Sequence, residues 1–342
     1  MAALIGIDFS QDGKQCGHLA IPHSTHISAY GKIIIPVVYI RNGDGPRAFL
    51  SAGIHGDENE CQIALRNLCL NLVSDDVKGS LLILPMMNAP AVCSSSRVSP
   101  IDHINMNRAF PGNSLGSPTA AIASAIENQL LEGCRFAYDI HSGGSSLLYD
   151  AVALTTSTGS VKDDEKRLNL LRALGLEAGM LLPVNSNMGL ESSLDGAMLR
   201  KSVIGVSAEF GGGGVISAKT LRKCEQSIRR FLAHVGLTKT SSFEPADRQC
   251  QIYDIGDPDA HVFSESIGLF KAEVAIGSVI GRGDVIGRIY DFYDLNSSPK
   301  VVRSNLTGKV LAIRTLPRVE IGDCLAQIGK LSGTDREVVD AT

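Results

Sequence analysis

The chain has 342 residues, enough at roughly 100–200 residues per domain for two domains or one large α/β domain. Hydrophobic residues make up 44% and charged residues 20%, which excludes disorder as the main state. The net charge of −4 argues against nonspecific nucleic-acid binding, and 5% aromatics with no Trp argue against stacking platforms for bases or sugars.

Read in chain order, Ile33 to Ile40 is β-branched and is closed by the turn cluster Asn42-Gly43-Asp44-Gly45, which predicts a strand among N-terminal strands over residues 1–45. Ala48 to Ile54 predicts a buried strand, ending in Gly53-Ile54-His55-Gly56-Asp57-Glu58. Cys61, Ala64, Leu65, Leu68, Cys69 and Leu72 then recur at helical spacing, so His55 and Glu58 fall where a strand gives way to a helix. Leu81–Pro85, Phe136–His141 and Val203–Glu209 read as further strands. Ser117-Pro118 opens a helix to about Leu131, and Asp163–Leu174 and Ser217–Val235 predict two more. Such alternation predicts an α/β fold, a mostly parallel or mixed sheet flanked by helices, with its site at the carboxyl ends of strands.

The pattern changes near Gly236. Thr238 to Ser242 reads as a polar linker, and from about Gln251 to Lys330 short strands are punctuated by glycine. This predicts two domains: an α/β unit over 1–237 and an all-β barrel or sandwich over 238–342, with a frayed polar tail from 332. Glycine is abundant, 35 of 342, against roughly 7% of residues usually. Eight cysteines are scattered without a C-x-x-C pair, which reads as buried thiols in a reducing cytosol. No run approaches the ~20 apolar residues of a membrane span, and the N-terminus lacks the basic and apolar regions of a signal peptide. A cytoplasmic chain without membrane or nucleic-acid partners is expected, and its oligomeric state, homo-oligomers included, stays open.

His55 and Glu58 form an H-x-x-E motif, weak alone, and His141 ends its own predicted strand. Singly, His141 is a hydrogen-bonded strand-end histidine. Together the three match the two-His, one-Glu zinc set of carboxypeptidase A, with a position left open for water. Asp139 lies two residues before His141 on the same strand face, where it either orients a metal-bound imidazole or is simply salt-bridged. Glu209 ends an apolar strand before Phe210 and Gly211 to Gly214, and suits a general base or an acid capping the glycine loop. Arg97, Asn107 and Arg108 occupy a long polar loop, where arginine forks suit carboxylates and oxyanions or stay on the surface. Asp102 and His103 read as local hydrogen-bonders. The four-glycine run lacks the G-x-x-x-x-G-K-[ST] of a phosphate loop.

Gly53-Ile54-His55-Gly56-Asp57-Glu58, Arg97 through Pro111, Asp139-Ile140-His141-Ser142-Gly143-Gly144 and Glu209-Phe210-Gly211 together resemble the succinylglutamate desuccinylase/aspartoacylase family, a branch of the zinc carboxypeptidase-like fold. The resemblance spans roughly residues 5–330. Within the family, Gly6-Ile7-Asp8-Phe9 and the Arg97–Asn107 spacing look most like the N-α-acetyl-L-2,4-diaminobutyrate deacetylases of ectoine breakdown. The resemblance implies one Zn2+ per chain on His55, Glu58 and His141. It implies Glu209 as general base and proton donor, Arg97 at the scissile carbonyl, and Asn107 with Arg108 on the substrate carboxylate. The activity implied is removal of an acyl group, acetyl in the first instance, from a small N-acyl amino acid. Cys61 and Met106 depart from the usual Gly and Leu at positions that touch no implied ligand.

Two other readings compete. A metallocarboxypeptidase would use the same metal set on short peptides, unless the C-terminal region crowds the cleft. A non-catalytic binding protein is suggested by lipoyl-like glycine spacing near the C-terminus, but Lys271, Lys300 and Lys309 lack an Asp-Lys-Ala-like setting.

Overall fold

The computed structural model describes residues 2–183, 189–239 and 250–332. The 332–342 tail beyond Ser332, and the expected linker beyond Lys239, lie outside the described residues. Strands β1 (Ala3–Ile5), β2 (Gly13–Pro22) and β3 (Lys32–Asn42) form an antiparallel meander. Then come β4 (Arg47–Ala52), α1 (Asn59–Asn71), β5 (Gly79–Leu84), α2 (Ala89–Cys93), α3 (Pro118–Ala125) and β6 (Phe136–His141). They are followed by β7 (Leu147–Ser157), α4 (Val161–Ala173), β8 (Ala178–Pro183), α5 (Leu194–Arg200), β9 (Ile204–Gly212) and α6 (Ala218–His234). The predicted elements recur with small shifts. The helix at Ser117 is interrupted: α3 passes into a π-helical turn, Ile126–Leu130, before the expected end at Leu131.

The main sheet is mixed, in the order β1-β2-β3-β5-β4-β6-β9-β7-β8. The pairs β5/β4, β4/β6 and β6/β9 are parallel, while β7 runs antiparallel to β9. Period-two alternation splits the side chains between two cores. Ala48, Leu50, Tyr138, Ile140, Val206, Ala208 and Phe210 face α1, α4 and α6. The opposite face carries Phe49 and Ala137 toward α3 and α5, and on it lie Ser51, Asp139, His141, Ser207 and Glu209. α6 is held by a Ser217 cap on Lys219 N and Thr220 N, and it buries Cys224, Ile228, Phe231 and Leu232.

Strands β10 (Gln251–Asp254), β11 (His261–Phe263), β12 (Gly268–Ala272), β13 (Val279–Ile280) and β14 (Val285–Tyr290) open the C-terminal region. β15 (Lys300–Arg303), β16 (Gly308–Arg314), β17 (Arg318–Val319) and β18 (Cys324–Leu331) complete it. The main sheet runs on past residue 237: β10 lies parallel to β8, and β16 pairs with β7. β15-β14-β12-β17 form a second, four-stranded sheet. Lys271, Lys300 and Lys309 lie in strands rather than at hairpin tips. No disulfide joins the described cysteines; Cys16 and Cys93 are exposed, unlike the buried thiols expected. No described helix is long and apolar enough to cross a membrane.

The loop after β4 is wedged against α2. A Cβ on Gly56 would lie 2.0 Å from the Ala91 carbonyl oxygen, and Gly56 N donates to Ser96 O at 2.8 Å. Gly56→Ala is therefore expected to lower stability to urea by at least roughly 2 kcal/mol. Gly43→Ala, at φ +64 but facing open space, should cost roughly 1 kcal/mol. Equal losses for the two variants would contradict this packing.

Candidate metal centre and active site

Glu58 lies at the N-terminal end of α1, and His55 three residues earlier in the β4–α1 loop. His141 ends β6. All three are buried, and one ligand atom from each lies within 4.8 Å of the others. The Glu58 carboxylate sits between the rings, with Oε1 2.6 Å from His55 Nδ1 and Oε2 3.0 Å from His141 Nδ1. The far ring nitrogens are also engaged: His55 Nε2 is 3.0 Å from Asn105 Oδ1, and His141 Nε2 is 2.6 Å from Asp139 Oδ2. Ser51 Oγ donates to Asp139 Oδ1 at 2.7 Å, fixing that carboxylate in turn.

This wiring tests whether a cation fits. Asn105 Oδ1 and a carboxylate are acceptors, so each Nε2 carries a proton. A neutral imidazole would then aim the Nδ1 lone pair at Glu58. Three electron-rich atoms converge, an arrangement that a shared proton or a metal ion among them satisfies. Burial alone would raise Glu58, but the two imidazoles outweigh it and hold the carboxyl well below its usual range. Burial would lower His141, but Asp139 and Glu58 overcome it and raise the ring well above its ordinary value. The His₂Glu set thus fits a dication such as Zn2+ with an open coordination position.

Glu209 pairs in register with His141 across β6 and β9. It does not end its strand as expected: β9 runs on to Gly212, because Gly211 and Gly212 pair with Tyr149 and Leu148 of β7. Glu209 Oε2 is sealed from solvent and has no hydrogen-bond partner among the described residues. Burial, reinforced by Glu58, pushes this carboxyl up to about 8, although His141 and Arg97 pull it down. The acid at the turn beneath the glycine run is instead Glu60, which accepts from Gly212 N at 3.3 Å.

Arg97 is half-exposed, and its Nη1 stands 3.5 Å from Glu58 Oε1 and 3.4 Å from His55 Nδ1. Asn107 Oδ1 accepts from Leu194 N at 3.0 Å, tying the loop to α5. Arg108 is exposed and donates to Asn107 O at 2.7 Å. All seven predicted residues, His55, Glu58, Arg97, Asn107, Arg108, His141 and Glu209, line one cavity of about 340 Å³. Tyr149, Asp195, Ser207, Ile255 and Gln327 line it as well, and sequence reasoning gave none of these a role. Asp102 accepts locally from Ile104 N at 3.4 Å, but it also reaches beyond the expected local role, accepting from Thr119 N and Oγ1 at the start of α3 at 2.8 and 2.7 Å.

A model of the succinylglutamate desuccinylase/aspartoacylase catalytic domain matches residues 44–235. The N-α-acetyl-L-2,4-diaminobutyric acid deacetylase of Halomonas elongata is 36% identical over 326 residues, 95% of this chain and 94% of that protein. The product-bound structure of the ectoine utilization protein EutE (DoeB) from Ruegeria pomeroyi superposes with a TM-score of 0.90 at 32% identity, covering 96% of this chain and 98% of that one. A succinylglutamate desuccinylase/aspartoacylase from Rhodobacter sphaeroides does so with a TM-score of 0.90 at 26% identity, covering 97% and 99%.

The unpartnered carboxylate has a measurable cost. Glu209 holds its proton to about 8 in the folded chain, against an ordinary 4.5. Between those values the folded state binds more protons than the unfolded state, so stability falls as pH rises. In metal-free protein, Glu209→Gln is expected to be more stable than wild type at pH 8.5, with the gain vanishing near pH 4.5. Urea midpoints across pH read it, and a gain independent of pH would contradict the assigned burial cost.

Proposed function

The chain belongs to the succinylglutamate desuccinylase/aspartoacylase family, and from that premise we propose that it is a zinc-dependent amide hydrolase that removes the acetyl group from N-α-acetyl-L-2,4-diaminobutyrate. The observation that carries this reading is the convergence of two imidazole Nδ1 atoms and one carboxylate in a half-open cavity that a second carboxylate, Glu209, also lines. His55, Glu58 and His141 would hold one zinc ion per chain. A zinc ion so held supplies a Lewis acid that polarises a carbonyl and makes water nucleophilic near neutral pH.

The remaining roles fall to the chain's own groups. Glu209 takes the proton of the attacking water and returns it to the leaving amine, a task suited to a carboxyl raised toward neutrality. Arg97, beside Glu58 and His55, donates to the oxygen on which negative charge develops. Arg108 and the amide nitrogen of Asn107 hold the substrate carboxylate. Asp139, fixed by Ser51, keeps His141 in the tautomer that presents Nδ1.

In this reading residues 1–237 form the hydrolase unit, and 238–342 shape the cleft. Ile255 and Gln327 from that second part line the cavity. A space of about 340 Å³ suits an N-acyl amino acid and disfavours the carboxypeptidase alternative. The sealed, unpartnered Oε2 of Glu209, costly to keep without a task, speaks against a non-catalytic binder. The names of the similar proteins point to a place in ectoine breakdown, and the scattered cysteines fit a reducing cytoplasm.

Two measurements test the proposal. A hydrolysis panel of N-acetyl, N-succinyl and N-formyl amino acids on the zinc-loaded protein should give the highest kcat/KM with N-α-acetyl-L-2,4-diaminobutyrate; release of free amino acids from long peptides would favour the carboxypeptidase instead. Glu209→Gln should keep its zinc and lose at least roughly 100-fold in kcat. Retained turnover in that variant would remove Glu209 from its role.

A further inference from the structure

Asp195 lies in the first turn of α5, only 8% exposed, and lines the same cavity as Arg108 and Ser207. Its place is rigidly fixed. The Ser193 side chain caps α5 through Gly196 N, and Asn107 Oδ1 accepts from Leu194 N. Arg200 makes a two-pronged pair with Glu127, at 2.9 and 2.8 Å, which anchors the far end of α5. The helix lies close over β9 because Gly205 has no side chain; a Cβ there would come within 2.4 Å of Met198 Sδ.

The carboxylate so placed is short of donors. Ser207 Oγ donates to Oδ1 at 2.9 Å, and Oδ2 has no protein partner among the described residues. Arg167, whose field reaches Asp195, donates to the carbonyls of Val203 and Gly205 and forms no ion pair with it. Arg108 feels the charge of Asp195 too, yet the two form no ion pair among the described residues. The cavity therefore presents a cationic and an anionic side chain separated by free space. That arrangement complements a small molecule carrying a carboxylate and an ammonium a few bonds apart.

We infer that Asp195 is the specificity-determining residue for the substrate side chain, binding a short-chain ammonium through Oδ2 while Arg108 binds the α-carboxylate. The inference rests on the deacylase reading of this cavity and extends it. An ammonium brings three donors to a carboxylate that has one, and it offsets the cost of burying that charge. An anionic side chain at the same place would meet like charge from Asp195, with Asp139 behind it, so succinyl- or aspartyl-type side chains are disfavoured.

The test compares N-α-acetyl-L-2,4-diaminobutyrate with N-acetyl-L-norvaline, which replaces the ammonium by a methyl group of similar size. Wild-type protein should prefer the cationic substrate by roughly 30-fold or more in kcat/KM, and bind L-2,4-diaminobutyrate more tightly than L-norvaline by a similar factor in calorimetry. Asp195→Asn should bring both ratios to within a few-fold of one. Each ratio is taken within one protein, so partial misfolding lowers both members and leaves it unchanged. Ser207→Ala, which removes the hydroxyl but keeps the charge, should retain most of the preference. If Asp195→Asn keeps the wild-type ratios, the assignment of Asp195 is overturned. If wild type hydrolyses neither compound, the deacetylase reading fails, and the two binding ratios still decide the role of Asp195: a wild-type ratio near one overturns it, and a ratio that collapses in Asp195→Asn upholds it.

Discussion

The contact on which the rest depends is that of the Glu58 carboxylate with two imidazole nitrogens, at 2.6 and 3.0 Å, inside a buried pocket. Burying an anion without partners is prohibitive, so the neighbouring structure is arranged to supply positive charge there and hold it. α1 brings Glu58 in at its N-terminal end, β6 delivers His141, and the Gly56 loop, pressed against α2, turns His55 back toward both. Ser51, Asp139 and Asn105 then fix the ring orientations from behind. Disturbing any of these shifts the geometry of all three ligand atoms.

A second consequence concerns the two carboxyls that share the cavity. Glu58 is held ionised by its imidazoles, while Glu209, with one oxygen sealed and unpartnered, is pushed up to about 8. Neighbouring acids driven apart in this way are suited to the two different tasks proposed for them, metal ligand and proton carrier. The parallel register of β4, β6 and β9 makes the separation possible. It sets Ser51, Asp139 and Ser207 in one row and His141 with Glu209 in the next, all on one sheet face. In the first row Ser51 fixes Asp139 and Ser207 donates to Asp195; the second row faces the cavity, which Ser207 also reaches.

Much of this was legible in the sequence, for identifiable reasons. The helical spacing from Cys61 to Leu72 located α1, and with it the strand-to-helix passage that carries His55 and Glu58. The two-residue offset of Asp139 and His141 gave their common face, which their 2.6 Å contact fulfils. Other parts were hidden. β7 is bounded by Ser142-Gly143-Gly144-Ser145-Ser146 and Thr158-Gly159-Ser160, so the strand itself was within reach of the sequence, but nothing local places Tyr149 in the cavity. The pairing of Gly211 and Gly212 with β7 is long-range, and a glycine run reads locally as a loop. Asp195 lies two residues after Ser193 in a segment for which the sequence reading named no element; only the packing of α5 over β9 brings it into the cavity.

In the proposed mechanism the His55–Glu58–His141 set must be filled by a dication for the cavity to work. Titrating chelator-stripped protein with zinc, while following acetate release from N-α-acetyl-L-2,4-diaminobutyrate, tests it most directly. The rate should rise linearly to one zinc per chain and then level off. Undiminished acetate release from the stripped protein, or a rate indifferent to added zinc, would contradict the account.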